Sequence, residues 1–391
     1  MLAVKKTKLI ASPRWNSQVL ENFAASNLKK LRTHRKNAAE NSPWWSFIHT
    51  AEQNLPNQIT NFIAGNYKFE PMVTYHMPDE TMLVWQYADR LIVRLLLQII
   101  KPVFQYIISD KCFHLKGPNG VKEAISWVEK GLSLDSYRYF LRIDIKSYYA
   151  SIDREILTKQ ISSTFNDPRL INYLSDTVNI PVLNDAAITL PSTGIGRRNS
   201  LSPFYGALYL SPVDKYFEKI KGIFYVRYMD DFVILTKTKK QFCRAKKQLK
   251  KILNSLKLKY SRKKTKMGIL TKGFHFLGIN FKISAPAKAE QKQAVTQIHP
   301  EKTNVSVSLH PRSAQRALDK LSQMREDCEI NAHEAQSYLS KWARWWSKTS
   351  PLILRKDCLL LWIEKARACQ PDLAWLGSGL YHFCYHHSFN E

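Results

Sequence analysis

The sequence is poor in several features that define common protein classes. Asp and Glu number 32 against 59 Lys and Arg, glycine is limited to 13 of 391 residues, and the six cysteines form no Cys-x-x-Cys pair. So little glycine excludes a collagen-like chain, and so few cysteines exclude a disulfide scaffold. The scattered cysteines favour free thiols in a reducing compartment, so we expect a cytoplasmic protein.

Long apolar runs are also missing. The apolar stretch over residues 91–104 is interrupted by Arg94, Gln98 and Lys101, so it does not have the character of a transmembrane helix. The first ten residues contain three lysines but not the apolar core of a secretory signal. The sequence therefore predicts no membrane partner.

An excess of positive charge is the strongest feature present. The formal net charge is +27 and the isoelectric point is about 9.8. A surface this positive favours a polyanionic partner, most simply a nucleic acid, and excludes an acid-rich chain that binds basic partners. The content of 45% hydrophobic and 12% aromatic residues predicts a real core and argues against a disordered basic tail.

Changes in composition divide the chain into four predicted segments. A basic helical extension over 1–70 precedes a mixed region of helices and strands over 71–282, and a linker rich in Pro, Ala, Gln and Lys covers 283–304. No glycine occurs between Gly278 and Gly377, and tryptophans recur at helical spacing around residues 338–346. Residues 305–391 are therefore predicted to be helical, with most of these rings in a small core.

Two segments bring aspartates to the ends of predicted strands. Residues 141–153 run from an apolar strand that ends on Asp144 into an aromatic-rich turn and a helix. Residues 224–235 form two apolar strands around a predicted hairpin turn that carries Asp230 and Asp231. Neighbouring carboxylates repel each other and lose hydration on burial, and Mg²⁺ would compensate both penalties. The alternative for an isolated Asp-Asp pair is a solvated turn.

These segments resemble the conserved motifs of reverse transcriptases. Residues 228–231 (Tyr-Met-Asp-Asp) resemble motif C, and residues 144–149 (Asp-Ile-Lys-Ser-Tyr-Tyr) resemble motif A. Residues 194–203 resemble motif B, Lys264-Thr265 resemble motif D, and Phe276-Leu277-Gly278 resemble motif E. The matches follow the order of the family's motifs and extend from about residue 85 to 282. The resemblance implies an α+β right-hand polymerase fold: fingers and palm over 71–282, the palm an antiparallel sheet with flanking helices, and a helical thumb with a tail over 305–391.

The resemblance also implies a catalytic metal site. Asp144, Asp230 and Asp231 would be the catalytic aspartates and metal ligands, and the carbonyl of Ile145 would be a further ligand. The implied cofactor is a pair of Mg²⁺ ions, with Mn²⁺ as a substitute. Two such ions would activate a 3′-hydroxyl and stabilise the leaving pyrophosphate.

Further positions are implied to contact the nucleotide. Tyr149 lies five positions after Asp144 and would exclude a ribonucleotide 2′-hydroxyl by its volume, with Tyr148 as the alternative gate. Lys264 would protonate or neutralise the leaving pyrophosphate, and the alternative is one more lysine of a basic run. Additional nucleotide contacts are expected from Arg90, Lys116 and Arg197.

The sequence departs from many reverse transcriptases in motif B and in its length. Residues 196–198 read Gly-Arg-Arg where Pro-Gln-Gly is common, and guanidinium groups suit phosphate better than a base edge. We expect no endonuclease, integrase or RNase H domain in 391 residues, and the chain resembles retron enzymes and, most of all, the unknown-group, defence-associated bacterial enzymes. That similarity implies a structured non-coding RNA as template, a DNA primer or product, dNTPs, and a role in antiphage defence.

Three alternatives to templated synthesis stay open at this point. They are an untemplated DNA polymerase, a protein-primed polymerase on the same palm, and a non-catalytic RNA-binding scaffold. Intact aspartates at 144, 230 and 231 weigh against the scaffold.

Basic residues concentrate after motif C. Residues 237–266 contain 14 Lys and Arg and no acidic residue, with one apolar stripe at helical spacing. The other side carries Lys246, Lys247, Lys250 and Lys251, which we expect to contact an RNA or duplex backbone; the alternative is a solvated lysine face. The tail over 381–387 (Tyr-His-Phe-Cys-Tyr-His-His) matches no familiar four-ligand zinc site, so a base-stacking or docking role is preferred.

Overall fold

The structure is a computed structural model that describes residues 15–76, 81–134, 136–184, 187–196, 199–283 and 305–327, with five further positions between 337 and 345. The helices in these ranges are α1 (Ser17–His34), α2 (Pro43–Ala64), α3 (Tyr87–Ile100), α4 (Phe104–Ile107), α5 (Gly120–Leu134), α6 (Tyr148–Ser151), α7 (Arg154–Thr164), α8 (Pro168–Val178), α9 (Ser202–Tyr209), α10 (Ser211–Phe217), α11 (Lys239–Ser255) and α12 (Pro311–Asp327). The strands are β1 (Met72–His76), β2 (Thr81–Val84), β3 (Tyr139–Asp144), β4 (Val182–Asn184), β5 (Ala187–Thr189), β6 (Ile223–Tyr228), β7 (Asp231–Thr236), β8 (Lys266–Ile269), β9 (Phe274–Phe276), β10 (Ile279–Ile283) and β11 (Val305–Leu309). The predicted α+β class is confirmed. Within the described ranges, no helix has both the length and the apolar character needed to cross a bilayer.

Two compact units are built from alternating stretches of the chain. The first unit takes the residues up to Leu115, Ile145–Lys219 and Gln248–Tyr260. The second unit takes Lys116–Asp144, Ile220–Lys247 and the residues from Ser261 on. The chain therefore passes from one unit to the other five times.

The first unit is mainly helical and contains one small sheet in the order β2-β1-β4-β5. Its helix α2 begins with Ser42 as N-cap and Pro43 in the first turn, and ends at Gly65, whose φ of +88° suits a residue without a side chain. Apolar residues of α2 recur every three or four positions and are buried, among them Trp44 and Phe62. Both α1 and α2 lie in the segment predicted to be helical.

The second unit is organised around an antiparallel sheet in the order β6-β7-β3-β8. The predicted strand from Tyr139 and the predicted hairpin over 224–235 are both confirmed. Because side chains alternate along a strand, Arg142 and Asp144 lie on one face of β3 and Leu141 and Ile143 on the other. Leu141 and Ile143 are 0% exposed, so that second face is completely covered.

Helix α11 packs on the covered face of the sheet. The ring of Phe242 on α11 lies 5.6 Å from that of Tyr139, which shares its face with Leu141 and Ile143. The predicted apolar stripe of α11 is confirmed, because Ala245, Leu249 and the neighbouring apolar positions are buried or half-buried.

A second sheet in the order β11-β10-β9 follows in the same unit. Phe274 of β9 stacks on Phe140 of β3 with ring centroids 5.1 Å apart, which joins the two sheets. The expectation of helix throughout 305–391 is wrong at its start, because Val305–Leu309 form β11 and pair with β10. Valines that alternate with serines favour a strand there. Residues 284–304, which hold most of the expected linker, and the tail over 381–387 lie outside the described residues.

Candidate active site

Three aspartates lie together at one end of the antiparallel sheet. Asp144 is the last residue of β3 and pairs in register with Asp231, the first residue of β7. Asp231 also pairs with Tyr228 across the hairpin, so Met229 and Asp230 form its two-residue turn. Met229 has a φ of +54°, a left-handed conformation of the kind that tight hairpin turns require. The strand pairing thus brings together carboxylates that are 87 positions apart in the sequence.

Arg142 holds the carboxylate of Asp231. Its Nε donates to Oδ1 of Asp231 at 3.0 Å and its Nη2 to Oδ2 at 2.6 Å, while its Nη1 donates to the carbonyl of Lys264 at 2.8 Å. The side chains of Arg142 and Asp231 are only 9% and 17% exposed. Sequence reasoning missed this arginine. One feature of the sequence could have identified it: Arg142 is a charged residue in an otherwise apolar strand. It lies two positions before Asp144 and hence on the same face of the strand.

Lys264 approaches the site from the segment that follows α11. Its Nζ lies 3.7 Å from Oδ1 of Asp144, and the lysine side chain is 69% exposed. The backbone N–H of Asp144 points to Oγ1 of Thr265 at 3.5 Å. The two residues predicted to form motif D therefore both lie beside Asp144.

The electrostatics of the site follow from burial and from like charges. Burial raises the pKa of Asp231 to about 6; the Arg142 guanidinium acts in the opposite direction, and the charges of Asp144 and Asp230 add to the rise. Burial also raises the pKa of Asp230, and the negative charge of Asp144 raises it further, while Lys264 and Arg142 limit the rise. Burial and the neighbouring carboxylates therefore both disfavour ionisation of Asp230 and Asp231.

The side chains present fit a divalent cation held by two carboxylates. Within the described residues, no group of three or more His, Cys, Asp or Glu side chains is arranged to hold a metal ion. Arg142 occupies both oxygens of Asp231. Asp144 and Asp230 remain, and they lie close enough for the charge of one to shift the pKa of the other. Two carboxylates, completed by water or substrate phosphate, suit Mg²⁺.

Ile145, the expected carbonyl ligand, directly follows Asp144. It forms an isolated antiparallel bridge with Tyr260. The hydrogen bonds that flank this bridge are donated by the N–H groups of Lys146 and Ser261 to the carbonyls of Lys259 and Asp144. Neither bond uses the carbonyl of Ile145.

Comparison with known proteins identifies the family. The family model for reverse transcriptase (RNA-dependent DNA polymerase) matches residues 81–281. The match covers just over half of the 391 residues and includes all three aspartates. The chain belongs to the reverse transcriptase family. The resemblance inferred from the five motifs is confirmed.

Individual relatives of this reverse transcriptase are distant. Protein YkfC of Escherichia coli (strain K12) is 23% identical over 290 residues, which cover 63% of this chain and 76% of YkfC. Among solved structures, apo telomerase from Candida tropicalis, truncated from its C-terminal domain, aligns at 15% identity with a TM-score of 0.38. That alignment covers 48% of this chain and 43% of the telomerase chain, so this chain spans less than half of that structure.

Tyr148 and Tyr149 have different environments in the first unit of this reverse transcriptase. Tyr148 is buried and its hydroxyl donates to the carbonyl of Gly206 at 2.6 Å, so it is a packing residue. Tyr149 is half-buried, with its ring 5.4 Å from that of Tyr148. A Cβ at position 206 would lie 3.2 Å from the ring of Tyr148 and 3.4 Å from the hydroxyl of Tyr149. Glycine at 206 therefore gives both rings their space.

The motif B loop is tied to the segment that follows motif A. The N–H of Ile195 donates to the carbonyl of Tyr149 at 3.0 Å, and the N–H of Gly194 to that of Ile152 at 2.8 Å. Arg154, 3% exposed, donates from Nε to the carbonyl of Gly194 at 2.8 Å. Sequence reasoning also missed Arg154, because its partners lie far from it in the sequence. Arg197, the expected nucleotide contact of this loop, lies outside the described residues.

The other expected nucleotide contacts lie in different units. Arg90 belongs to the first unit, where its Nε donates to the carbonyl of Trp85 at 2.9 Å and its guanidinium lies 4.8 Å from the centre of the Tyr87 ring. Burial lowers the pKa of Arg90 from its ordinary value. Lys116 is exposed and begins the second unit. The expected backbone contacts Lys246, Lys247, Lys250 and Lys251 are all exposed on α11.

Proposed function

We propose that this chain is an RNA-directed DNA polymerase that extends a DNA 3′ end, or another primer hydroxyl, with dNTPs on an RNA template. The observation that carries the proposal is the in-register pairing of Asp144 with Asp231, with Asp230 in the adjoining turn, inside a reverse transcriptase family match. In this proposal the sheet with the aspartates is the palm, the fingers belong to 71–282, and 305–391 form the thumb.

The proposed mechanism assigns separate tasks to the residues of the site. Two bound Mg²⁺ ions, or Mn²⁺ in their place, would supply activation of the primer hydroxyl and charge stabilisation of the leaving pyrophosphate. Asp144 and Asp230 would hold the cations through carboxylate oxygens, and the carbonyl of Ile145 would add a neutral oxygen ligand. Arg142 keeps Asp231 ionised and fixed next to them. Lys264 provides a proton or a positive charge to the leaving group.

Nucleotide selection is proposed to depend on residues outside the carboxylate cluster. Tyr149 excludes the 2′-hydroxyl of a ribonucleotide by its volume, and its half-buried ring beside Gly206 supports this assignment. The guanidinium and ammonium groups of Arg90, Lys116 and Arg197 are proposed to contact phosphates, which suits their charge.

The biological setting is proposed from chemistry and family resemblance. The net charge of +27 supports a structured non-coding RNA as the template-bearing partner. Cys243 is a free thiol, which supports a reducing, cytoplasmic setting. The resemblance to defence-associated bacterial enzymes supports a role in antiphage defence. Plating efficiency of phages on cells with the wild-type or Asp230→Asn gene tests that role, and equal plating contradicts it.

A primer-extension assay tests the polymerase. Labelled dNTPs and a DNA-primed RNA template are supplied with Mg²⁺ to the wild type, to Asp230→Asn, to Asp144→Asn and to the matched control Asp319→Asn, an exposed aspartate of α12. We expect extension by the wild type and the control, and a loss of at least about a thousandfold in the two site variants. Full extension by Asp230→Asn would overturn the metal assignment.

The same assay separates the three alternatives. Incorporation without a template indicates untemplated synthesis, and label that stays on the polypeptide after nuclease treatment indicates protein priming. RNA binding by a wild-type protein that incorporates no nucleotide under any of these conditions indicates a scaffold.

A further inference from the structure

A row of positive charge follows the outer side of α11. We call it the basic helix face and define it by the exposed Lys and Arg of that helix: Lys239, Lys240, Arg244, Lys246, Lys247, Lys250 and Lys251. No acidic residue occurs between Lys237 and Lys266. None of the seven side chains forms an ion pair with any described residue, so the charge is presented to solvent.

The basic helix face lies on the side of the sheet away from the aspartates. Asp144 and Arg142 lie on one face of β3, and Tyr139 lies on the other. Because Phe242 packs on Tyr139, α11 contacts the face opposite to Asp144. The exposed lysines point away from the sheet on that side. Within the second unit, which holds α11 up to Lys247, the sheet and a helix about 10 Å thick therefore separate the exposed Lys and Arg side chains from the carboxylates.

Seven cations on one helix without an anion are unfavourable unless a polyanion binds them. Like charges three or four positions apart destabilise a helix, and Lys240, Arg244, Lys247 and Lys251 form such a series. Cations along about 18 Å of helix, at 1.5 Å per residue, match the repeated phosphates of a nucleic acid backbone.

A membrane surface fits this helix less well. Amphipathic helices that bind bilayers insert an apolar face among the lipids. In α11 that face is already used inside the protein, because Ala245, Leu249 and Leu253 are each 2% exposed or less. Only the charged face remains for a partner.

We propose that the basic helix face is a second nucleic-acid site, which binds the phosphate backbone of a structured RNA on the side of the sheet opposite the aspartates. The inference rests on the proposed function, because it assumes that the primer–template binds on the side of the sheet that carries the aspartates. One RNA molecule can then be retained by its folded part while another part of it is copied. Binding at this site depends on the charge of the RNA backbone and not on the nucleotide sequence of the RNA.

Competition between two labelled nucleic acids tests the proposal without any nucleotide incorporation. The full-length wild-type protein is saturated with a short DNA–RNA primer–template in one colour and titrated with an RNA hairpin in a second colour. We expect both to bind one protein molecule at the same time. Displacement of the primer–template by the hairpin would overturn the proposal. This measurement uses only the wild-type protein, so it does not depend on the folding of a variant.

A charge-removal variant links the second site to α11. Lys240, Arg244, Lys247 and Lys251 are changed together to Gln, and the matched control changes four exposed lysines elsewhere, Lys130, Lys215, Lys219 and Lys221, to Gln. In the α11 variant we expect weaker hairpin binding and a slope of log affinity against log salt that is smaller by about 3. The control should keep its affinity for the hairpin within about twofold.

Two further outcomes would also overturn the proposal. One is hairpin binding by the α11 variant with wild-type affinity and salt slope. The other is wild-type binding to phosphatidylserine vesicles that is lost in the α11 variant while hairpin binding persists. Because these measurements use no dNTPs, a failure of the second site is distinct from a failure of the polymerase assignment.

Discussion

Arg142 and Asp231 form a two-point ion pair in which Nε and Nη2 of the arginine each donate to a different carboxylate oxygen, at 3.0 and 2.6 Å. One of the three aspartates is thus committed to a partner inside the protein. The pair also joins β3 to β7 next to the turn that carries Asp230. We infer that Arg142 positions the hairpin, which leaves the carboxylates of Asp144 and Asp230 for the proposed cation.

Breaking this ion pair is expected to destabilise the protein. Arg142→Gln leaves the carboxylate of Asp231 with little solvent and no charged partner, so the free energy of unfolding should fall by about 3 kcal/mol. Arg142→Lys keeps the charge but loses the two-point geometry, so its loss should be smaller. Urea unfolding at neutral pH measures both, with the exposed Arg138→Gln as control. A change below about 0.5 kcal/mol in Arg142→Gln, the range of ordinary surface substitutions, would contradict this account.

Lys264 and its neighbour Lys263 form a matched pair for testing the chemical step. Nζ of Lys264 lies 3.7 Å from Oδ1 of Asp144, whereas Lys263 is an exposed lysine with no ion pair to a described residue. We expect Lys264→Ala to lower kcat for dNTP incorporation by about a hundredfold with a smaller effect on KM, because the leaving group loses its proton donor. Single-turnover extension kinetics measure this. Equal effects of Lys263→Ala and Lys264→Ala would show that only bulk charge matters.

The volume of Tyr149 is expected to set the choice of sugar. Tyr149→Ala should raise the use of rNTPs relative to dNTPs by about tenfold or more, because the ring that excludes the 2′-hydroxyl is gone. Tyr149→Phe keeps the ring and should keep the wild-type ratio. The ratio is read from competitive single-nucleotide incorporation. If Tyr149→Ala leaves it unchanged, the gate is a different residue.

Asp89 is expected to make stability depend on pH. Burial raises its pKa from 3.8 to about 6, although the hydroxyl of Tyr67 and the N–H of Glu70 donate to it and lower the value. The folded state therefore holds this proton more tightly than the unfolded chain does. The contribution of Asp89 is fully present below about pH 4 and is lost as the pH rises through about 6.

Comparison with Asp89→Asn isolates that contribution. Between about pH 4 and about pH 6 the free energy of unfolding of the wild type should fall relative to that of the variant, by up to about 3 kcal/mol. Urea unfolding at several pH values measures the difference. The exposed Asp319→Asn should follow the wild type. A difference that does not change with pH would show that Asp89 titrates normally in the folded protein.

Local patterns made part of this fold predictable. The strand from Tyr139 and the hairpin around Asp230 were predictable because alternating apolar residues and a two-residue turn are local signals. The apolar stripe of α11 was predictable for the same reason. Strand β11 was not predicted because it has only five residues. So short an alternation of apolar and polar residues does not distinguish a strand from the linker before it or the helix after it.

Long-range pairing made the rest unpredictable. That Asp144 meets Asp231 in register, and that Arg142 then reaches Asp231, depends on how β3 inserts between β7 and β8. The contacts of Arg154 with the carbonyls of Ile180 and Gly194 depend on loops 26 and 40 positions away. The aspartates themselves were found from residue order and family resemblance, which do not require the register.

The five passages of the chain between the two units have a consequence for biosynthesis. The first unit cannot be complete until Tyr260 has been made, and the second includes residues beyond Ser261. A ribosome must therefore have made the residues up to Tyr260 before either unit is complete. Neither unit corresponds to a contiguous segment, so no simple truncation isolates one. Nascent chains arrested before residue 260 should remain protease-sensitive and dependent on chaperones, and the protein should acquire protection in one late step.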